Sequence, residues 1–178
     1  MKILWLCSQP LNSIAEKLSL PKVYLGGWLE GIATNLSKEE DVELYYLFIN
    51  DNKEGVFFHL LDNINFIEVG IKGYSSEEFS FVFEGIVNEF NFEVIHIFGT
   101  ENHMINELTR KIDSTKLILS IQGILSEIYK KYCYKIFKYH RFKNQYTQIF
   151  GKILLFYNRN QLYLRAKSEI KVLSRAKN

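Results

Sequence analysis

The sequence has little of what staples, punctuates or ligates. Among 178 residues there are 2 prolines and 2 cysteines. Cys7 and Cys133 form no ligand spacing and no disulfide framework, which excludes a small cross-linked scaffold and fits a reducing compartment such as the cytoplasm. No apolar run approaches the roughly 18 residues that a spanning helix needs. The first such run, from Ile3, stops at Cys7 and is followed by Ser8, Gln9 and Pro10, so neither a membrane span nor a signal peptide is expected. There is no G-x-G-x-x-G and no Walker loop, which leaves nicotinamide binding and ATP hydrolysis without support. His, Cys and carboxylate residues nowhere take the spacing of a metal cluster.

What is present is apolar and aromatic. Hydrophobic residues make up 47% of the chain and aromatic residues 15%, with 14 Phe and 11 Tyr. Disordered and collagen-like classes are thereby excluded, and one well-packed domain can form without a metal or a cross-link. Formal charge is only +2, but it is unevenly spread. Residues 1–125 hold 9 Lys/Arg against 18 Asp/Glu, whereas residues 126–178 hold 13 against 2. That asymmetry points to an anionic partner for the C-terminal third.

Ile3 to Cys7 is apolar on both alternating faces, the pattern of a central strand in a covered parallel sheet. Ser8 to Leu25 follows as a long connection holding both prolines, and connections longer than about 12–15 residues are usually functional in compact domains. Gly26-Gly27-Trp28-Leu29 then opens a helix with Leu29, Ile32, Ala33 and Leu36 at helical spacing. Val42–Ile49 reads as a second strand, Asn50–Gly55 as its polar turn and Asn63–Val69 as a third strand. Ser75-Ser76-Glu77-Glu78 starts an amphipathic helix carrying Phe79, Val82, Phe83, Ile86, Val87 and Phe90 on one face. Val94–Phe98 is a further buried strand, followed by a helix reaching Lys111. Leu117–Ile121 is the last strand. Steady alternation of strand and helix predicts an α/β fold with a doubly wound parallel sheet in three α/β/α layers.

Beyond Ser126 the strand signal stops. Leu125, Ile128, Tyr129, Tyr132, Ile136 and Tyr139 share one side of a helix, and Lys131, Lys135, Lys138 and Arg141 share a neighbouring side. Further helices are expected over Tyr146–Tyr157 and Leu162–Leu173. The basic aromatic helix suits either a solvated face packed on the sheet or an anionic membrane surface, where each basic residue contributes about 1 kcal/mol. No nucleic-acid module is recognisable, and nucleic acid is not an expected partner.

In an open parallel sheet the ligand crevice forms from loops after the strand ends. Three such loops have unusual residues. Gly26 and Gly27 let a ligand approach backbone N–H groups at a helix start, where the dipole favours an anion. Thr100, Glu101 and Asn102 follow a buried strand, and Glu101 is the leading acceptor of hydrogen bonds from substrate hydroxyls. The plainer alternative is that Thr100 and Glu101 cap the next helix. Gln122 follows the last strand. His96 reads as a hydrogen-bonded core histidine, and His59 and His140 as surface residues.

The order of these segments, Ile3-Leu4-Trp5-Leu6-Cys7, the long loop into Gly26-Gly27-Trp28-Leu29, Val94-Ile95-His96-Ile97-Phe98-Gly99-Thr100-Glu101 and Leu119-Ser120-Ile121-Gln122-Gly123, resembles the N-terminal lobe of GT-B glycosyltransferases of the family 4 type. The resemblance covers residues 1 to about 125. It implies a Rossmann-like, acceptor-binding lobe spanning residues 1–178, with the nucleotide-sugar donor held by a second, C-terminal lobe that this chain does not contain. Ser168–Asn178 looks like the helix that precedes that lobe, so the chain alone is expected to be inactive. The Gly26-Gly27 turn would lie near the donor diphosphate. Trp28, Thr100, Glu101, Asn102 and Gln122 would meet a glycan or lipid-linked acceptor, with Trp28 as a wall of the cleft.

The sequence departs from the family where many relatives have a cleft histidine at the end of the fourth or fifth strand. Phe98 and Gln122 stand there instead, so no catalytic residue is carried over. In the family's commonly retaining chemistry the donor's own phosphate takes the acceptor proton, and no metal or cofactor beyond the nucleotide-sugar co-substrate is implied. Polysaccharide biosynthesis in the cytoplasm, with peripheral contact to the inner face of the membrane, is the expected setting. Two other classes fit the same residues: a non-catalytic sugar- or nucleotide-binding module, and an interaction domain recruited to membranes by the basic helix.

Overall fold

A computed structural model of the protein describes residues 1–21, 27–99, 108–121, 129 and 160–174. Six strands form one sheet: β1 (Lys2–Cys7), β2 (Glu43–Asn50), β3 (Glu54–Leu61), β4 (Ile64–Ile71), β5 (Val94–Phe98) and β6 (Leu117–Ser120). Their spatial order is β3-β4-β2-β1-β5-β6. All neighbours are parallel except β3 and β4, which are antiparallel. The fold is therefore α/β with a mostly parallel sheet.

Burial on both faces explains the continuous apolar runs of β1, β2 and β5. Leu4, Leu6, Leu47, Ile67, Ile95 and Ile97 point to one face, against Phe79, Phe83 and Ile86 of helix α3 (Ser76–Phe90). Trp5, Cys7, Tyr46, Phe48, Phe66 and Phe98 point to the other. There they meet Ile14 of helix α1 (Asn12–Lys17) and Leu29 and Ala33 of helix α2 (Gly27–Leu36). Helix α3 forms where its local signals predict. Ser75 Oγ accepts from the Glu78 N–H at 3.2 Å, and the Glu78 carboxylate accepts from the Ser75 N–H at 2.7 Å. The helix ends at Asn91, in the left-handed conformation.

Two elements depart from the sequence reading. Residues 54–61 are an edge strand, where the sequence reading ends its turn at Gly55 and assigns no element to residues 56–62. Val56, Phe58 and Leu60 lie on one face and Phe57, His59 and Leu61 on the other, so its apolar doublets straddle the sheet and hide the period-2 alternation. Asp62 and Asn63, both at positive φ, join β3 to β4 in the manner of a type I′ hairpin turn. Gly70 of β4 has a steric reason, because a Cβ there would lie 2.6 Å from the Lys53 carbonyl carbon. The long connection after β1 contains α1, whose N-cap residue Leu11 supplies no side-chain cap. Glu30 of α2 supplies it from a distance, accepting from the Asn12 N–H at 2.7 Å and the Ser13 N–H at 3.2 Å.

Residues 160–174 are helical (α4), with Ala166 and Val172 buried. The basic aromatic helix read over Leu125–Arg141, apart from Tyr129, and the helix read over Tyr146–Tyr157 lie outside the described residues. Among the described residues no helix is long and apolar enough to cross a membrane.

Candidate functional site

Strands β1, β5 and β6 end side by side. Cys7 pairs with Phe98, Phe98 pairs with Ser120, and the Gly99 N–H donates to the Ser120 carbonyl at 3.1 Å. This is the carboxyl rim of a parallel sheet, where α/β proteins place their ligands. Phe98 anchors it. Its ring lies 4.9 Å from Trp5, 4.0 Å from the His96 imidazole and 5.9 Å from Trp28. The contact with Trp28 holds the first turn of α2 over the end of β5 and leaves that indole 50% exposed.

His96 and Ser120 supply the polar part of the rim. His96 lies on the same face as Trp5 and Phe98, and its Nε2 is 2.7 Å from Ser120 Oγ. Burial pushes the imidazole below its ordinary value of 6.5, so it is neutral at pH 7. A neutral imidazole has one donor and one acceptor nitrogen. Paired with a hydroxyl, it can exchange hydrogen bonds with an alcohol or accept a proton.

The loop after β1 is fixed by Tyr46, whose hydroxyl donates to the Gln9 carbonyl at 2.9 Å. Burial pushes the neighbouring Cys7 thiol up to about 12, against a smaller opposing effect of its hydrogen bond with Tyr46. Cys7 is consequently a packed thiol rather than a nucleophile. Glu30, one turn into α2, ties that helix to the same loop through α1.

Of the residues singled out in the sequence, Gly27 and Trp28 stand at this rim. Gly26, Thr100, Glu101, Asn102 and Gln122 lie outside the described residues. A Cβ at Gly27 would meet nothing within 4 Å, so packing gives no reason for a glycine there. His96 is hydrogen-bonded, as the sequence suggested, but it is half-buried rather than a core residue. The reading missed its partner Ser120, because the 24-residue separation is bridged only by strand register.

His59 corrects the surface assignment. It is partly buried, with Nε2 3.1 Å from a Glu68 carboxylate that has no exposed surface. Asn50 Nδ2 at 2.6 Å and Lys53 Nζ at 3.0 Å also reach that carboxylate. This cluster holds the ends of β2 and β4 to β3. Among the described residues no group of three or more His, Cys, Asp or Glu is placed to hold a metal ion.

The chain matches no protein-family model, and no curated protein or solved structure matches it.

Proposed function

We propose that the chain is the acceptor-binding lobe of a glycosyltransferase that moves a sugar from a nucleotide donor to a glycan or glycolipid. The observation that carries this reading is the rim itself: an exposed indole on Phe98, beside a neutral imidazole–hydroxyl pair, at the converging ends of β1, β5 and β6. A pyranose offers an apolar C–H face and a ring of hydroxyls. Trp28 suits the first, and His96 with Ser120 suits the second without adding a fixed charge. The first turn of α2, opened by Gly27 without steric need, suits an anionic diphosphate.

Thr100, Glu101 and Asn102 follow β5 and Gln122 follows β6, so the reading gives them the remaining acceptor contacts. The donor's nucleotide would be held by a second lobe, in keeping with the family resemblance, and an acceptor carried on lipid would bring the basic segment to the cytoplasmic membrane face.

The test is transfer of radiolabelled sugar from a panel of nucleotide donors to membrane lipid and oligosaccharide acceptors by the two-lobed protein. Trp28→Ala is expected to raise the acceptor KM about tenfold, equivalent to about 1.4 kcal/mol. Glu101→Gln is expected to lower turnover with little change in melting temperature. Absence of transfer to any acceptor, or full turnover in both variants, counts against the proposal.

A further inference from the structure

We infer that Ser120 is a nucleophile with His96 as its base, and that the pair takes an acyl group from an activated ester or thioester. The inference is independent of the glycosyltransferase reading, because it needs neither a sugar nor a second lobe.

In the ladder His96 stands directly opposite Ile118, and Ser120, the last residue of β6, stands opposite Phe98. His96 nevertheless bypasses its own neighbour and brings Nε2 to 2.7 Å from Ser120 Oγ, at the diagonal position two residues nearer the carboxyl rim. That separation lies within the roughly 2.6–3.2 Å over which a base can take a nucleophile's proton. Two rings fix the imidazole plane. Phe98 stacks on it at 4.0 Å and 30°, and Trp5 meets it edge-on at 6.0 Å and 79°. An activated serine needs its base held in line by a third group, and here aromatic packing does so. The main chain of Ser120 is held as well, since its carbonyl accepts from the Gly99 N–H at 3.1 Å. Both residues are partly exposed, so a reagent can reach the hydroxyl.

With its proton on Nδ1, the neutral imidazole keeps at Nε2 the lone pair that accepts the Ser120 O–H. Ser120 Oγ attacks the acyl carbonyl carbon while its proton passes to Nε2. The bond from that carbon to the leaving oxygen or sulfur breaks, and the departing alcohol or thiol takes the proton from Nε2. An ester of Ser120 and a neutral imidazole remain, with no change of oxidation state. Water then completes hydrolysis by the reverse use of His96, releasing the carboxylic acid and returning a proton to Oγ. Ile118 lies on the same face as Ser120 and is 48% exposed, which offers apolar surface to the acyl chain. Ser174 is the contrast: its Oγ donates to the Lys171 carbonyl at 2.9 Å, which cannot receive its proton.

Labelling of the whole chain with an alkyl fluorophosphonate, from which a serine displaces fluoride to leave a stable adduct, tests the inference by peptide mass spectrometry. The adduct is expected on Ser120 and not on Ser174, a result read on the wild type and so independent of how any variant folds. His96→Gln is expected to slow labelling about 100-fold. The wild-type rate should fall as pH drops below 6.5, where the imidazole takes up a proton, and stay level above about pH 7. Added p-nitrophenyl hexanoate, competing for the hydroxyl, should slow it. No adduct on Ser120, equal labelling of Ser174, a rate unchanged in His96→Gln or one that climbs steadily with hydroxide overturns the assignment. Failure of the hexanoate ester to compete overturns the acyl class.

Discussion

Glu68 shows how single residues hold this sheet together. Burial alone would raise its carboxyl, but hydrogen bonds from Asn50, Lys53 and His59 outweigh that effect and hold it below the ordinary value of 4.5. The stability these contacts provide is present in full above pH 4.5 and is lost as pH falls toward the lower folded value. Glu68→Ala strands three donors, two of them charged or chargeable, and should cost about 1–3 kcal/mol in urea unfolding at pH 7. The variant should also lose part of the wild type's acid sensitivity below pH 4.5. Equal stability would mean that the cluster is solvated rather than structural. His96 behaves in the opposite sense. Its folded value lies below 6.5, so the unfolded chain binds more protons as pH falls past 6.5, and stability drops on acidification through that window. His96→Gln should flatten that slope, and an unchanged slope would assign it to other groups. Neither behaviour was legible in the sequence, because His59 and Glu68, like His96 and Ser120, meet only through strand register.

Helices and strands divide by where their specifying contacts come from. Helix α3 was readable because its signals are local: Ser75 and Glu78 bond to each other three residues apart, and Phe79, Phe83 and Ile86 repeat with the helical period. Strands β1, β2, β5 and β6 were readable from their continuous apolar runs. Helix α1 was hidden because its cap is Glu30, 18 residues away, and β3 because an edge strand with both faces partly exposed keeps no alternation. Glu30→Ala should therefore act on α1 more than on α2, where Glu30 is one residue among ten. The expected cost is about 1 kcal/mol, typical of a lost N-cap. Hydrogen exchange should accelerate at the Asn12 and Ser13 amides, and protection there equal to wild type would show that the carboxylate is dispensable.

At the scale of the whole molecule, the sheet order places β1 between β2 and β5 and brings the ends of β1, β5 and β6 to one rim. That convergence follows from the alternation of strand and helix in the sequence. Gly27 and Trp28 were found at the rim from sequence because they follow a long loop after a central strand. The aromatic floor of Phe98 and Trp5 and the His96–Ser120 pair were not, since apolar strand residues read equally as core. On the proposed reading, the acidic charge before residue 126 and the basic charge after it would assign the sugar and an anionic partner to different parts of the sequence.

The most direct measurement is a titration of the isotopically labelled chain with oligosaccharide acceptors, following the Trp28 indole N–H and the His96 ring resonances by NMR. Saturable shifts at Trp28, His96 and Ser120, with the Glu68 cluster and the β3 edge unmoved, are predicted. Shifts confined to residues away from this rim, or none for any acceptor, would contradict the account.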